Sequence, residues 1–537
     1  MGQGGWMVGS SKYSPRARGV AAAALGFVAA AFVLAGWLLA SPPGSSPDDE
    51  YHLTSIWCSR GFVEGVCLEN PGAPAWDRKT LVPFAVSRIS CFAYEMSVSA
   101  ACTLDVLGTD PTQFTTGVGG NVDGERAQLY YWTMHAFVSD DFPSAMAWIR
   151  STNVALALAM LAGTILFAPS LVRRAVALSW LISTLPLGLF LLASLNTTAW
   201  GLIGLGTLWA NLLSALTGAE RWRRFGAALL AIIGATMALG SRTEALGHTV
   251  VILMAIGFLY AVAYRSEEDR SLRVSRLLPS TVAMRSVIGL IAVGAVTFAL
   301  RSLPSLDYLS GVSRSLTKGN AELVRRGFVQ PTLVLLLETP QLWTGAFGDR
   351  WGLGWIDTPM PPVTSLAAMS MFVTLVMLGL RHAGPGRIGA VLIVAGGLVA
   401  LPVISLTYSG NVVGEQLQPR HYMVLLFVLA GLALVPSPGR APLELGPGQR
   451  ATIVTLLGLG HAAALHTNMM RYVAGLGDAR YLNLNRTIEW WWADTPSPMT
   501  VWLITSIAYV VLASVILGMF REGALEDGEV SPRAARR

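Results

Sequence analysis

Three consecutive carboxylates, Asp48-Asp49-Glu50, stand just ahead of His52. Adjacent acids repel, which makes ionising all three costly and spreads their basicities. Close carboxylates of unequal basicity are what a general base or a metal site uses, so this stretch could take a proton from a hydroxyl or hold Mg²⁺ or Mn²⁺. The plainer account is that acids in a first helical turn answer the helix dipole, at about 0.3–1 kcal/mol each. Ser46 suits a helix cap, Pro47 the first helical position, and Asp49 the place from which a capping acid reaches back. A short helix is expected to begin here, with Asp48/His52 and Asp49/His52 paired on neighbouring faces.

Cationic partners stand elsewhere. Arg420 begins an apolar run, and its guanidinium can grip phosphate oxygens in a fork or simply snorkel to water. Arg242 with Glu244 either binds a headgroup or pairs locally, and local pairing is favoured. Asp357, after Gly354-Trp355, could orient an acceptor or merely form the turn before Thr358-Pro359. Arg126 and Arg150 flank an aromatic stretch and rank behind these. The chain has no Gly-rich phosphate loop, CxxC pair or HExxH.

The elements that must position these groups are membrane spans. The chain is 53% apolar and 13% charged, with a mean hydropathy of +0.53, and ordinary soluble domains carry about 25% charge. Its net charge of +6 does not indicate nucleic acid, because the basic residues cluster at the ends of apolar runs as orientation signals. The first run, Val20 to Ala40, is long enough to span and longer than a signal-peptide core. Further spans are expected near 145–168, 175–195, 198–216, 225–239, 247–264, 287–300, 363–380, 388–408, 421–435, 451–465 and 498–520, about twelve in all. The fifth is short, and Ser241-Arg242-Thr243-Glu244 interrupts what could be one apolar stretch with the sixth.

Lys12, Arg16 and Arg18 precede the first span, so both termini are expected in the cytoplasm. That topology places about 21 Lys+Arg and 9 Asp+Glu inside, against about 17 and 23 outside. The inside loops are short and arginine-dense, as at Arg173-Arg174, 221–224 and 265–276. The expected organisation is an all-α polytopic protein: a cytoplasmic N-terminus 1–19, a membrane domain 20–520 with large exterior loops 41–144, 301–362 and 466–497, and a cytoplasmic tail 521–537. Cys58, Cys67, Cys91 and Cys102 all lie in the first exterior loop, where oxidation is allowed; of three pairings the short closures Cys58–Cys67 and Cys91–Cys102 are favoured over four unpaired thiols. The apolar stretches 128–137 and 328–337 are too short to span and should lie in the interface or re-enter, and Trp490-Trp491-Trp492 reads as an aromatic belt.

The stretch Pro47-Asp48-Asp49-Glu50-Tyr51-His52 after a first helix resembles an uncharacterised actinobacterial family of polytopic membrane proteins in the GT-C glycosyltransferase superfamily. Leu195-Asn196-Thr197-Thr198-Ala199-Trp200, the run from Gly348 to Pro361 and Gln418-Pro419-Arg420-His421-Tyr422 carry the same resemblance, over about residues 20 to 520. It implies a GT-C-like fold and transfer of a sugar from a polyprenyl-phosphate lipid to a saccharide or glycolipid acceptor of the cell envelope, on the extracytoplasmic face of a bacterial membrane. Asp48 or Asp49 would then be the base, with His52 beside it; Arg420, His421, Tyr422 and Arg242 would face the donor phosphate; Glu50, Trp355, Asp357 and Gln418 would face the acceptor or sugar. The chain departs from the family pattern at Asp48-Asp49, where Asp-Glu is commoner, and at Pro419-Arg420-His421-Tyr422, where Gly-Arg-Tyr is commoner. An arginine-rich, lysine-poor, Ala- and Gly-heavy composition fits a GC-rich bacterium.

Such a transfer needs one base and cationic stabilisation of a weakly basic leaving phosphate, unlike glycoside hydrolysis with its two carboxylates. A transporter or flippase of a lipid-linked saccharide is the second reading, but it asks for polar sites at the midplane and paired repeats, and no clear repeat is present. The third is a non-enzymatic assembly protein that recruits partners through its disulfide-held loop.

Overall fold

A computed structural model describes residues 15–73, 80–122, 127–264, 307–477 and 481–521. The expected span 287–300, the loop 265–276, Lys12, Arg126 and the tail from 522 lie outside the described residues.

The chain opens with α1 (Pro15–Leu39) and then the short helices α2 (Asp49–Trp57), α3 (Phe84–Arg88), α4 (Cys102–Leu107) and α5 (Leu129–Met134). Long helices follow: α6 (Phe142–Phe167), α7 (Ser170–Ser183), the short α8 (Leu187–Leu192), α9 (Thr198–Thr217), α10 (Arg221–Leu239) and α11 (Ala245–Leu259). After the undescribed stretch come α12 (Asp307–Arg325), α13 (Pro331–Glu338), α14 (Pro340–Thr344), α15 (Pro362–Leu380), α16 (Pro385–Ser409), α17 (Pro419–Leu434), α18 (Pro447–Val473) and α19 (Pro498–Gly518). Among the described residues eight of these, α1, α6, α9, α10, α11 with its continuation to Ala263, α15, α16 and α19, are long and apolar enough to cross a bilayer.

The other expected spans differ for physical reasons. The stretch 175–195 is broken between α7 and α8, where Pro186 has no N–H for a helical ladder. α17 has 16 residues, short for a span by itself. α18 is long enough, but Gln449, Arg450, His461, Asn468 and Arg471 lower its hydropathy below that of the other spans, and the last three are buried inside the bundle. Ser241 to Glu244 separates α10 from α11, so these are two helices.

α9 and α17 lie at the centre, buried on nearly every side, as helices that are apolar all round must be. α10 crosses α9 at Gly204 and Gly234, where a Cβ on Gly204 would sit 2.2 Å from the Gly234 carbonyl oxygen; only small residues let these backbones approach. α1 packs against α19, and α18 against α15 and α19.

The region after α1 is not purely helical. It carries a three-stranded antiparallel sheet, β1 (Leu68–Glu69), β2 (Thr80–Pro83) and β3 (Phe114–Thr116), with Leu81 opposite both Leu68 and Thr116. Two disulfides, Cys58–Cys67 and Cys91–Cys102, tie its loops. The expected interfacial stretch 128–137 is amphipathic and half swallowed: Tyr130, Tyr131 and Met134 are buried while Trp132 is exposed. In α13, by contrast, Leu333, Leu336 and Leu337 stay on the surface. Trp490 corrects the aromatic-belt expectation, since it is buried with Phe92, Ala100 and Tyr472 in a small core of its own.

Candidate functional site

The segment from Ser41 to Pro47 leaves α1 and crosses one end of the bundle with every residue buried. Its backbone oxygens are held by side chains from far along the chain. Trp355 Nε1 donates to the Gly44 oxygen at 2.9 Å, Tyr472 Oη to the Ser45 oxygen at 3.5 Å, and Asn468 to the Ala40 oxygen at 3.1 Å. The Pro47 oxygen accepts twice, from Asn196 Nδ2 and from Arg420 Nη1, each at 2.9 Å. Because buried carbonyls need partners, these donors fix the path of the segment.

The path delivers the carboxylates in three different directions. α2 begins at Asp49, two residues later than the cap motif suggests, but the reach-back is present: Asp49 Oδ2 accepts from the Ser46 amide at 3.1 Å. Asp48 precedes the helix in the left-handed region, φ 66°, a conformation that Asp tolerates better than most residues. This turns its side chain outward, where Oδ2 meets Arg420 Nη2 at 2.5 Å. Glu50 Oε2 accepts from Ser90 Oγ at 2.8 Å.

Environment separates the acids as geometry does. Partial burial opposes ionisation of Asp48, but Arg420 and then His52 outweigh it and hold the carboxyl below its ordinary value. Asp49 is 1% exposed; burial pushes its carboxyl well above the ordinary value, against the Ser46 amide that favours the anion. Burial likewise raises Glu50. Since the three side chains diverge to Arg420, to the Ser46 amide and to Ser90, they offer no shared cage for Mg²⁺ or Mn²⁺. Among the described residues no three His, Cys, Asp or Glu side chains group as metal ligands.

His52 is buried one turn along α2, with Nδ1 3.0 Å from Tyr131 Oη and its ring stacked on that tyrosine. Arg420 is nearly enclosed, its side chain 7% exposed against 52% for Asp48. It forms a wall between two clefts. One is largely apolar and lined by Leu187, Phe190, Leu191, Trp351 and Ile356 with Pro47 and Gln418. The other is lined by Thr198, Arg242, Glu244, His248 and His421 together with Leu202, Leu205 and Val424, so charged groups stand in a largely apolar wall. Arg242 pairs locally with Glu244 through Nε at 2.6 Å and also bonds Thr198. His421 Nδ1 accepts the Gln418 amide at 3.0 Å and thereby caps α17, while Tyr422 turns inward against His248.

Asp357 lies apart from the open clefts. One of its oxygens takes Arg471 Nη2 at 2.7 Å and the other takes Thr358 Oγ1, with both members of the ion pair buried. Its turn is tight: Gly354 has φ 61°, and a Cβ there would lie 2.7 Å from Tyr472 Oη and 2.9 Å from Asp357 Oδ1. Trp355, 6% exposed, is fixed by its bond to Gly44.

All four resemblance-bearing stretches therefore meet around residues 44–50. Arg471 and Asn468 were not read as part of this site, and Arg150 was ranked behind the other arginines. Arg150 lies within α6, donating to the Ala193 and Leu38 oxygens. An ionisable side chain inside an apolar helix is itself a signal of such a role, and Arg150 carries it.

A family model described as "Predicted membrane protein (DUF2142)" matches residues 31–430. No curated protein and no solved structure matches the chain. The chain belongs to this family of membrane proteins, and the matched stretch takes in Asp48, Asn196, Arg242, Trp355 and Arg420 but ends before Arg471.

Proposed function

We propose that the protein is a GT-C-type glycosyltransferase of about twelve spans, of actinobacterial origin, that moves a sugar from a polyprenyl phosphate to a cell-envelope glycan or glycolipid on the extracytoplasmic face. The observation that carries the reading is the meeting of Asp48 and Arg420, 372 residues apart, at 2.5 Å where a cleft lined by Leu187, Phe190 and Leu191 adjoins one that holds Arg242 and His421. A lipid-borne phosphate needs such a junction: apolar wall for the chain, guanidinium for the phosphate, carboxylate for the acceptor.

In this reading the acceptor hydroxyl attacks the anomeric carbon, its proton passes to an Asp48 oxygen, and the sugar–phosphate C–O bond breaks with its electron pair leaving on the phosphate. Arg420 stabilises the departing anion. The ion pair seen here represents the resting arrangement. A phosphate that draws Arg420 away removes the cation holding the Asp48 carboxyl down, so donor binding makes the carboxylate a stronger base. Asp49, buried and bonded to the Ser46 amide, shapes the turn. In this reading Arg242, released from Glu244, donates with His421 and Thr198 to further phosphate oxygens.

The test is transfer of label from a polyprenyl-phosphate sugar by purified protein in nanodiscs. Asp48→Asn is expected to lower turnover by about 10²–10⁴-fold with the fold intact. Unchanged transfer in that variant sinks the proposal, and lipid translocation without any acceptor favours the flippase reading in its place.

A further inference from the structure

Beside the carboxylates stands a pair of aromatic rings that the reading above leaves without a role. Tyr94 is 72% exposed, an unusual state for a large aromatic held in a fixed position. Its backbone lies in the left-handed region at φ 67°, and its ring sits 5.1 Å from that of Trp355, tilted by 60°. Trp355 is the buried half of the pair, pinned to Gly44; Tyr94 is the open half.

The segment that carries Tyr94 is clamped on both sides. The Cys91–Cys102 disulfide closes it. Arg471 Nη2 donates to the Phe92 oxygen at 2.9 Å and Nη1 to the Val98 oxygen at 2.5 Å, so one guanidinium bridges the arch beneath Tyr94. The same guanidinium binds Asp357, two residues after Trp355. One buried cation thus sets the spacing between the two rings. At the rim, Glu50 is bonded to Ser90, one residue before Cys91. Partial burial of its hydroxyl end, and then the nearby carboxylates of Glu50 and Asp48, raise the pKa of the Tyr94 hydroxyl, which puts it within their field.

We propose that Tyr94 is the stacking platform of the acceptor saccharide, with Trp355 backing it and Glu50 at the rim taking sugar hydroxyls; this deepens the transferase reading and rests on it. A sugar ring suits this arrangement because its C–H face packs flat on an aromatic ring while its equatorial hydroxyls reach acceptors at the edge. Preorganisation is the purpose of the clamp, since a ring already fixed loses little freedom on binding. A strained backbone at a ligand contact that the surroundings overdetermine is the expected form of such a site.

The experiment uses the full-length protein in nanodiscs and reads binding of a panel of neutral gluco-, galacto-, manno- and arabino-oligosaccharides by ligand-observed NMR, apart from any transfer. At least one saccharide should bind, Tyr94→Ala should weaken it about tenfold or more, and Tyr94→Phe, which keeps the ring, should retain it. The double variant Cys91→Ser/Cys102→Ser should weaken it as well, with the Cys58–Cys67 bridge intact. Absence of transfer in every protein, wild type included, together with binding that Tyr94→Ala weakens rejects the transferase reading and leaves the platform standing. No binder in the panel, equal binding by Tyr94→Ala, or an effect of Tyr94→Ala confined to nanodisc insertion, as for a membrane anchor, overturns the inference.

Discussion

Asp48 and Asp49 share a peptide bond and face opposite media: Asp48 is half exposed against Arg420, whereas Asp49 is sealed inside against the Ser46 amide. That difference drives their basicities apart.

The two acids should therefore leave opposite marks on the pH dependence of stability. Asp49 has a folded-state value above its unfolded one, so its contribution is full below the unfolded value near 3.8 and is lost as pH rises through the folded value. Asp48 has a lowered value, so its contribution is present above 3.8 and is lost as pH falls through the folded value. Thermal unfolding from pH 3 to 8 should show Asp49→Asn gaining on the wild type as pH rises, and Asp48→Asn converging with it in acid. Parallel curves for all three proteins contradict the assignment.

Arg420 does two jobs with one fork, gripping the Pro47 oxygen and the Asp48 carboxylate. Lysine can supply charge but not both directed bonds. Arg420→Lys should raise the KM for a polyprenyl-phosphate sugar about tenfold or more, and Arg420→Ala further still. Steady-state kinetics at varied donor concentration measure this, and a lysine variant with wild-type KM contradicts the forked contact.

The buried pair Arg471 and Asp357 should behave unlike a surface ion pair. Removing one partner strands a charge and typically costs about 3–5 kcal/mol. Asp357→Leu and Arg471→Met are each expected to lower the melting temperature strongly, with the double variant recovering part of the loss. A double variant as unstable as the sum of the singles indicates that the two side chains are not coupled.

Sidedness can be read by chemistry, because the four native cysteines are taken up in disulfides. Glu69→Cys, on β1, should react with a membrane-impermeant maleimide in intact cells, and Arg440→Cys, in the loop between α17 and α18, only after lysis. The reverse pattern inverts the proposed topology.

The apolar runs made most helices legible, since length and hydropathy decide whether a segment can cross a bilayer. The cap motif around Ser46 and Asp49 was legible too, being local hydrogen-bond chemistry. What could not be read was tertiary. Nothing in spacing reveals that Trp355 bonds Gly44, 311 residues away, or that Arg471 anchors the arch of Tyr94. Trp490 looked like a lipid-facing anchor because tryptophan composition cannot distinguish an interface from a small core beside Tyr472. The short strands β1 to β3 were missed because two to four residues carry too little periodicity to stand out from a loop.

Arg420 belongs to the lining of both clefts. A side chain that is a party wall cannot move for one tenant without altering the other's room. Anything that pulls the guanidinium toward Arg242 and Glu244 makes room beside Trp351 and frees Asp48, and thermodynamic reciprocity requires the converse. Occupancy of the two clefts is consequently linked, so an affinity measured for either one carries the state of its neighbour within it.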